Sequence, residues 1–181
     1  QIMEAYRDNG SIPGSEKGVC FLCRDNDPFP NNKNLEVCIF KEVFSPENRR
    51  LVEIFEQCFE KNRWPPAWRN GLYEMHHFHS KAHEVLGVYS GWVQACFGGP
   101  GGRVEKAAAG DVIVIPAGVS HQNLKQSADF KVVGAYPEGQ HWNMKFGTPG
   151  DRPQVDREIL AVALPQADPV YGKDGPLLRL W

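Results

Sequence analysis

Residues 71–91 read GLYEMHHFHSKAHEVLGVYSG, and four of the six histidines and a glutamate fall within nine positions of this stretch. His77 and His79 are separated by one residue. In an extended strand that spacing sends both imidazoles to the same face, roughly 7 Å apart along the chain. A short turn at 80–82 can return the carboxylate of Glu84 to that face. The stretch therefore predicts a metal site to which two histidines and a glutamate contribute.

A second region is needed to complete such a site, and the run GDVIVIPAGVSH at 110–121 supplies it. A buried-looking strand here ends in a Pro-x-Gly turn, which would present His121 at the mouth of the next strand. Three neutral imidazoles and one carboxylate suit Fe, Mn, Ni, Cu or Zn, and they suit Ca poorly. We therefore expect one divalent transition metal as the cofactor, without a choice among these ions.

The remaining histidines have other expected roles. His76 lies at the opposite strand parity from His77 and is expected to point away from the ion. His83 is the alternative ligand, because a rotation of the turn before Glu84 would bring it into the site instead. His141 is expected to be structural or to pack in the C-terminal tail.

Composition excludes several classes of partner. The chain has 181 residues, a net charge of -2 and a pI near 6.3, with lysines and arginines scattered along it. No basic surface indicates nucleic acid or anionic lipid. No apolar run approaches the roughly 20 residues of a membrane helix, and residues 1–14 lack the pattern of a signal peptide. We expect a cytoplasmic protein that binds neither nucleic acid nor a membrane.

Five cysteines occur in apolar surroundings, which is an odd count. Cys20 and Cys23 form a C-x-x-C, but a zinc site needs a second close pair and a thioredoxin-like motif needs a helix after it. We predict reduced, buried thiols.

The first part of the chain predicts two strands and a helix. Strands are expected at 18–23 and 35–44 from their apolar and alternating patterns. Ser45 is the expected helix cap, with Pro46 at the first helical position and an end before the prolines at 65–66. The helix carries a packing stripe at three- and four-residue spacing, formed by Leu51, Ile54, Phe55 and Phe59.

After Gly91 the chain predicts short strands separated by turn residues. The strands are expected at 92–97, 103–106, 112–116 and 130–136. The glycine run at 98–102 lacks the residues of a phosphate loop and is expected to be a hairpin turn. The pattern predicts an antiparallel, all-β protein with one or two helices.

Two motifs carry a resemblance to the cupin superfamily. The pattern G-x5-H-x-H-x4-E-x6-G falls on Gly71, His77, His79, Glu84 and Gly91, and G-x5-P-x-G-x2-H-x3-N falls on Gly110, Pro116, Gly118 and His121. Only the last position departs, because Lys125 stands where the pattern expects Asn, while Asn123 lies two residues after His121. The flanking segments resemble the small bacterial cupins of the YjlB type.

The resemblance implies a cupin double-stranded β-helix, that is, a jelly-roll barrel, in a single domain over 1–181. N-terminal strands and a helix at 1–70 would precede the barrel core at 71–136, which carries both motifs, and 137–181 would wrap it as a C-terminal segment. A divalent metal would lie near one mouth of the barrel. Its ligands would be His77, His79, Glu84 and His121.

Function is expected to follow from the open coordination of such an ion. The site would carry a net charge of about +1, which would favour an anionic metabolite. Cupins include oxygenases, isomerases and binding domains, so the interpretation is an oxygenase- or isomerase-type enzyme acting on a small oxygen-bearing molecule, or alternatively a non-catalytic, metal-dependent binding or sensing module. The candidate pocket residues are Tyr73, Met75 and Asn123. A homodimer is expected, because exposed sheet edges are usually paired or covered.

Overall fold

Antiparallel strands dominate the computed structural model, which describes residues 18–181. The start of the predicted N-terminal segment, residues 1–17, lies outside the described part of the chain. In chain order the elements are β1 (Val19–Cys23), β2 (Asn32–Phe40), α1 (Leu51–Lys61), β3 (Pro66–Asn70), β4 (Glu84–Ser90), β5 (Trp92–Phe97), β6 (Arg103–Ala108), β7 (Val112–Ile115), β8 (His121–Gln126), β9 (Lys131–Ala135), α2 (Gln154–Ala161) and α3 (Leu177–Leu180).

The strands form two sheets. Six strands pair in the order β1-β2-β7-β4-β9-β3, and three pair in the order β6-β5-β8. Every pairing in both sheets is antiparallel. One hydrophobic cluster contains side chains from both sheets, so the sheets pack face to face around it. This architecture confirms the predicted jelly-roll fold.

The larger sheet is covered on both faces, which explains its continuous apolar strands. In β7 every residue is buried, and Ile113 and Ile115 belong to the core between the sheets. Val112 and Val114 belong instead to a second core, where α1 and α3 pack on the outer face of the sheet. The smaller sheet has an exposed face, and only one residue of its strand β6 is buried.

Helix α1 begins five residues later than predicted. Ser45 does not cap a helix, since its carbonyl accepts a hydrogen bond from Asn48 N–H at 3.2 Å in a turn. The Asn48 side chain then accepts from Arg50 N–H at 3.0 Å, and Arg50 occupies the cap position without a side-chain cap. These local side-chain and turn hydrogen bonds compete with helix formation over 45–50. Leu51, Phe55 and Phe59 of the predicted packing stripe are buried, whereas Ile54 is only partly buried.

Several other expectations can be compared with the described residues. All five cysteines are free, as predicted, but the predicted burial holds only for Cys23, Cys38 and Cys96. Cys20 and Cys58 are partly exposed. The glycine run at 98–102 forms the turn between β5 and β6. Within residues 18–181 three helices occur in place of the predicted one or two, because 154–161 and 177–180 are helical as well as 51–61. Between residues 18 and 181 no helix has the length and apolar character needed to cross a membrane.

Candidate metal centre

Three of the predicted ligands converge at one end of the space between the sheets. Side-chain donor atoms of His79, Glu84 and His121 all lie within 4.8 Å of one another. Nε2 of His79 is 3.0 Å from Glu84 Oε2, and Nε2 of His121 is 3.3 Å from Glu84 Oε1. All three residues are buried. The group therefore has the composition and spacing to hold a metal ion.

Strand parity explains why Glu84, and not His83, enters this group. Glu84 opens β4, and Leu86 and Val88 on the same face pack in the core between the sheets. His83 has the opposite parity and packs its ring against Trp181, with 4.8 Å between the ring centroids. Both of its ring nitrogens are occupied, since Nδ1 accepts from Ala117 N–H at 2.9 Å and Nε2 lies 3.2 Å from the Ala163 carbonyl oxygen.

A tight turn brings His121 to its position. Gly118 has φ of +91°, and a Cβ there would lie 2.5 Å from the Asn31 carbonyl oxygen, so this position of the Pro-x-Gly turn requires glycine. Strand β8 then begins at His121, which pairs with Phe97 of β5. The predicted placement of His121 at a strand mouth agrees with this geometry.

His77 and His79 lie in an extended segment and not in a regular strand. The segment is held by isolated bridges, in which His77 pairs with His121 and Phe78 with Lys145. The His77 ring lies 4.1 Å from the His121 ring and 6.1 Å from the His79 ring, measured between centroids. His77 thus borders the group of His79, Glu84 and His121, although it does not belong to the three residues whose donor atoms lie within 4.8 Å of one another.

The imidazoles of His77, His79 and His121 are each held by a backbone carbonyl oxygen close to Nδ1. Nδ1 of His77 lies 2.9 Å from the Met75 carbonyl oxygen, Nδ1 of His121 lies 3.0 Å from that of Val119, and Nδ1 of His79 contacts that of Asn143. Each carbonyl can only accept, so the proton of each neutral ring is on Nδ1. In a neutral ring of this tautomer Nε2 carries the lone pair that a metal would take, which is the usual arrangement around metal-binding histidines. Without an ion, Nε2 of His79 is instead hydrogen-bonded to Glu84 Oε2.

Two ionisable side chains of the group, His79 and Glu84, shift each other's pKa. Burial opposes the ionised forms of His79 and Glu84, but their mutual attraction and hydrogen bonding outweigh it. The pKa of His79 is therefore raised, and the pKa of Glu84 is held well below its usual value with the further help of His121. Burial, followed by the charge of His121, lowers the pKa of His77 to about 3, so His77 is neutral at pH 7.

The donor set also meets a chemical test for a metal ion. Nε2 of His121 is buried and has no hydrogen-bond partner among the described residues. It is directed towards a carboxylate that already has partners, at 3.3 Å without hydrogen-bond alignment. An unpartnered buried nitrogen is costly, and a metal ion between the histidines and the carboxylate would satisfy it. These residues fit such an ion.

Tyr136 supports the carboxylate and was not identified from the sequence. Its hydroxyl donates to Glu84 Oε2 at 2.8 Å and accepts from Trp68 Nε1 at 2.9 Å. Burial, followed by the negative charge of Glu84, raises its pKa. The ring of Trp68 lies across Gly134, where a Cβ would come within 2.3 Å of it. A signal was available, because Tyr136 shares the parity of Val132, which faces the core between the sheets.

A cavity of about 330 Å³ opens beside these residues. It is lined by Trp68, Asn70, Gly71, Leu72, Tyr73, His77, His79, Glu84, Tyr136, Trp142 and Met144. Tyr73 is thus at the cavity as expected, and its ring lies 5.3 Å from that of His77. The interior position expected for Met75 is wrong, since its side chain is 55% exposed and does not line the cavity. A bend at 74–75 breaks the strand alternation on which that expectation was based.

Asn123 is buried but also lies outside the cavity lining. Its amide donates to the Leu72 carbonyl at 3.2 Å and to Gln126 Oε1 at 2.7 Å, so it supports the segment before His77 and does not face a ligand. His76 packs against Phe29 at 5.5 Å between ring centroids, as its parity predicted. The expectation that His141 packs in the tail is wrong, because it is exposed.

The segment after β9 holds one wall of the site. The Asn143 side chain accepts from Ser80 N–H at 2.9 Å and donates to Ser80 Oγ at 2.8 Å. Ser80 Oγ in turn donates to Glu158 of α2 at 2.5 Å. These bonds fix the backbone carbonyl of Asn143 that contacts His79. No pattern in the sequence indicates this contact, because it is made by a backbone group more than sixty residues away from His79.

Comparisons with family models and with solved structures give little. No family model matches the chain. RmlC from Streptococcus suis, solved in complex with dTDP-D-xylose, is 13% identical with a TM-score of 0.37, and the match covers 92% of this chain and 95% of that one. Procruciferin, an 11S globulin from Brassica napus, is 12% identical with a TM-score of 0.37, over 72% of this chain and 27% of that one. These likenesses are too slight to inform on function.

A much stronger similarity comes from sequence. The Bacillus subtilis (strain 168) protein named "Uncharacterized protein YjlB" is 34% identical over 157 residues, which is 87% of this chain and 92% of that protein. An identity of this size over nearly the whole of both chains is shared ancestry and not only a shared architecture. The chain therefore belongs to the YjlB family.

Proposed function

We propose that His77, His79, Glu84 and His121 hold one divalent transition ion. The observation that carries this proposal is the convergence of three donor residues within 4.8 Å, with Nδ1 of each histidine held by a backbone carbonyl. His77 is the fourth ligand in the proposal because its ring lies 4.1 Å from that of His121, it is neutral, and it lines the cavity. The donor set suits Fe, Mn, Ni, Cu or Zn.

The function that this site supports best is catalysis on a small oxygen-bearing metabolite, of the oxygenase or isomerase type. The cavity reaches His77, His79 and Glu84, so a ligand can approach the ion from one side. When bound, the ion would supply Lewis-acid or oxygen-activating chemistry. The protein's own contribution is to orient the carboxylate through Tyr136 and to exclude water with the aromatic walls of the cavity.

The alternative function, a metal-dependent binding or sensing module, is supported by one observation. Glu84 is the only acidic side chain among the described residues that line the cavity, and no lysine or arginine is among them. The Tyr136 hydroxyl is engaged by both Trp68 and Glu84, and its raised pKa makes it a weak acid. A reaction that needs a separate proton donor would have little to use here.

Metal analysis followed by turnover screening tests the proposal. Protein reconstituted anaerobically with Fe(II), Mn(II), Ni(II) or Zn(II) is expected to retain close to one ion per chain. His77→Ala and His79→Ala abolish retention, Glu84→Gln weakens it, and the control His76→Ala retains the ion. Oxygen uptake and product analysis with small diols, thiols and keto acids then separate the enzyme from the binding module. A chain that retains none of these ions refutes the metal site.

A further inference from the structure

The cavity beside the donor group has aromatic walls. Trp68, Tyr73, Tyr136 and Trp142 line it, together with the apolar side chains of Leu72 and Met144. Tyr136 and Trp142 stack on each other, with ring centroids 5.7 Å apart and planes inclined by 16°. Trp142 is nevertheless 46% exposed and Tyr73 is 58% exposed. Large aromatic rings left partly in water at the rim of a cavity offer flat apolar area to a ligand.

Charge in the cavity is confined to its floor. The imidazoles and the carboxylate lie there. The other polar groups of the described lining are one amide, two tyrosine hydroxyls and two indole N–H groups, from Asn70, Tyr73, Tyr136, Trp68 and Trp142, and none of these side chains is a cation. Recognition of a phosphate group normally needs arginine, lysine or several backbone N–H donors. None of the described lining side chains supplies such a cation. The cavity therefore disfavours a phosphorylated or nucleotide-linked ligand.

Size adds a further limit. A water molecule has about 30 Å³ of liquid volume, so a cavity of about 330 Å³ accommodates a ligand of roughly ten to fifteen non-hydrogen atoms. That volume lies at the lower end of the range for small-molecule sites. One aromatic ring with a short oxygen-bearing substituent has this size.

We propose that the site takes a small aromatic molecule whose substituent presents two neighbouring oxygen atoms to the metal, such as a 2-hydroxy carboxylate or an ortho-diol, and which carries no phosphate. The oxygen pair reaches the floor formed by His77, His79 and Glu84, and the ring lies against Trp142, Tyr136 and Tyr73. This inference rests on the proposed function, because the metal is what the oxygen atoms bind.

Mandelate and lactate provide a matched test, because they have the same 2-hydroxy carboxylate group and differ in a phenyl against a methyl substituent. Protein loaded with Zn(II), which has no redox chemistry of its own, is titrated with each by calorimetry. Burying about 80 Å² more apolar area predicts that mandelate binds about 30-fold more tightly than lactate. Phenyl phosphate is expected not to displace mandelate.

Variants locate the preference. Trp142→Ala is expected to reduce the mandelate preference to a few-fold while one zinc ion per chain is retained, and Tyr73→Leu is expected to reduce it partly. Trp92→Ala is the control, because Trp92 lies on β5 outside the cavity and beneath Lys106. It should keep the full preference.

The outcomes separate the two proposals. If the protein retains no zinc, the proposed function fails. If it retains zinc but binds lactate as tightly as mandelate, binds neither acid, or binds phenyl phosphate better than both, the metal site stands and the aromatic ligand class is refuted. A preference for mandelate that survives both Trp142→Ala and Tyr73→Leu refutes the assignment of the ring to this wall.

Discussion

Replacing Tyr136 by Phe removes one hydroxyl group and leaves the ring that lines the cavity. The lost group donates to Glu84 Oε2 at 2.8 Å and accepts from Trp68 Nε1 at 2.9 Å. A buried hydrogen bond to a charged group contributes about 1.5–3 kcal/mol. We therefore expect the metal-free variant to lose about 2 kcal/mol of unfolding free energy, which corresponds to a melting temperature lower by about 4–8 °C in a protein of this size.

The same change is expected to weaken metal binding. Groups that hold a metal ligand from behind typically contribute 10- to 100-fold to metal affinity, which is about 1.4–2.7 kcal/mol. Competition with a chelator of known affinity measures this loss, and differential scanning calorimetry of the metal-free protein measures the loss of stability. The matched control is Tyr89→Phe, since Tyr89 packs with the outer core of the large sheet, away from the cavity.

The two variants together test the role of the Tyr136 hydroxyl. Weaker metal binding in Tyr136→Phe with normal binding in Tyr89→Phe supports the role of the hydroxyl. If both variants bind the metal as the unmodified protein does and melt at the same temperature, the Tyr136 hydroxyl does not orient Glu84.

Three further predictions follow from other parts of the molecule. His83→Ala is expected to keep the metal but to lose about 2–4 kcal/mol of unfolding free energy, because the Ala117 N–H loses its acceptor and a buried ring is removed. Metal analysis combined with urea denaturation checks this. Loss of the metal in a folded variant would mean that His83 is a ligand. Asp168 is fully buried, and burial raises the pKa of its carboxyl group. Hydrogen bonds from the backbone N–H groups of Val170, Tyr171 and Leu177 lower this pKa but do not offset the effect of burial. Between the two pKa values the folded chain holds a proton that the unfolded chain has released. The stability of the unmodified protein relative to Asp168→Asn should therefore decrease as the pH rises from the unfolded to the folded pKa of Asp168. Denaturation midpoints of both proteins between pH 4 and 7 test this sign, and a stability advantage of the unmodified protein that grows with pH contradicts it. Finally, we propose a homodimer, since β1 ends the larger sheet in the described structure and edge strands are usually paired or covered; light scattering at micromolar concentration would refute it by detecting only monomer.

Much of the site could be predicted because local sequence patterns determine the positions of its predicted ligands. Glu84 begins a strand whose alternating residues face the core between the sheets, and His121 follows a turn that only glycine can form. Both positions are determined by residues within a few places in the sequence. Period-two alternation also separates Glu84 from His83 without knowledge of the rest of the fold.

The predictions failed where contacts between distant segments or local bends override alternation. Met75 was expected inside because it shares the parity of His77, but the bend at 74–75 directs its side chain into solvent. Ser45 resembles a helix cap, but the turn at 45–48 uses its carbonyl instead. Trp142 lies in a segment without regular structure, so no periodicity in the sequence indicated that it faces the cavity.

The separation between the donor group and the wall formed by residues 137–153 has an evolutionary consequence. Glu84 and His121 are carried by strands, whereas Trp142 and Met144 belong to a connecting segment whose attachment to His79 is made by the main-chain oxygen of Asn143. A main-chain oxygen is present whichever side chain occupies the position. Descendants of this chain could therefore exchange the side chains of that segment, and with them the shape of the cavity, while keeping the same donor group. A library randomised at 142 and 144 alone would be an economical route to new specificities in the laboratory.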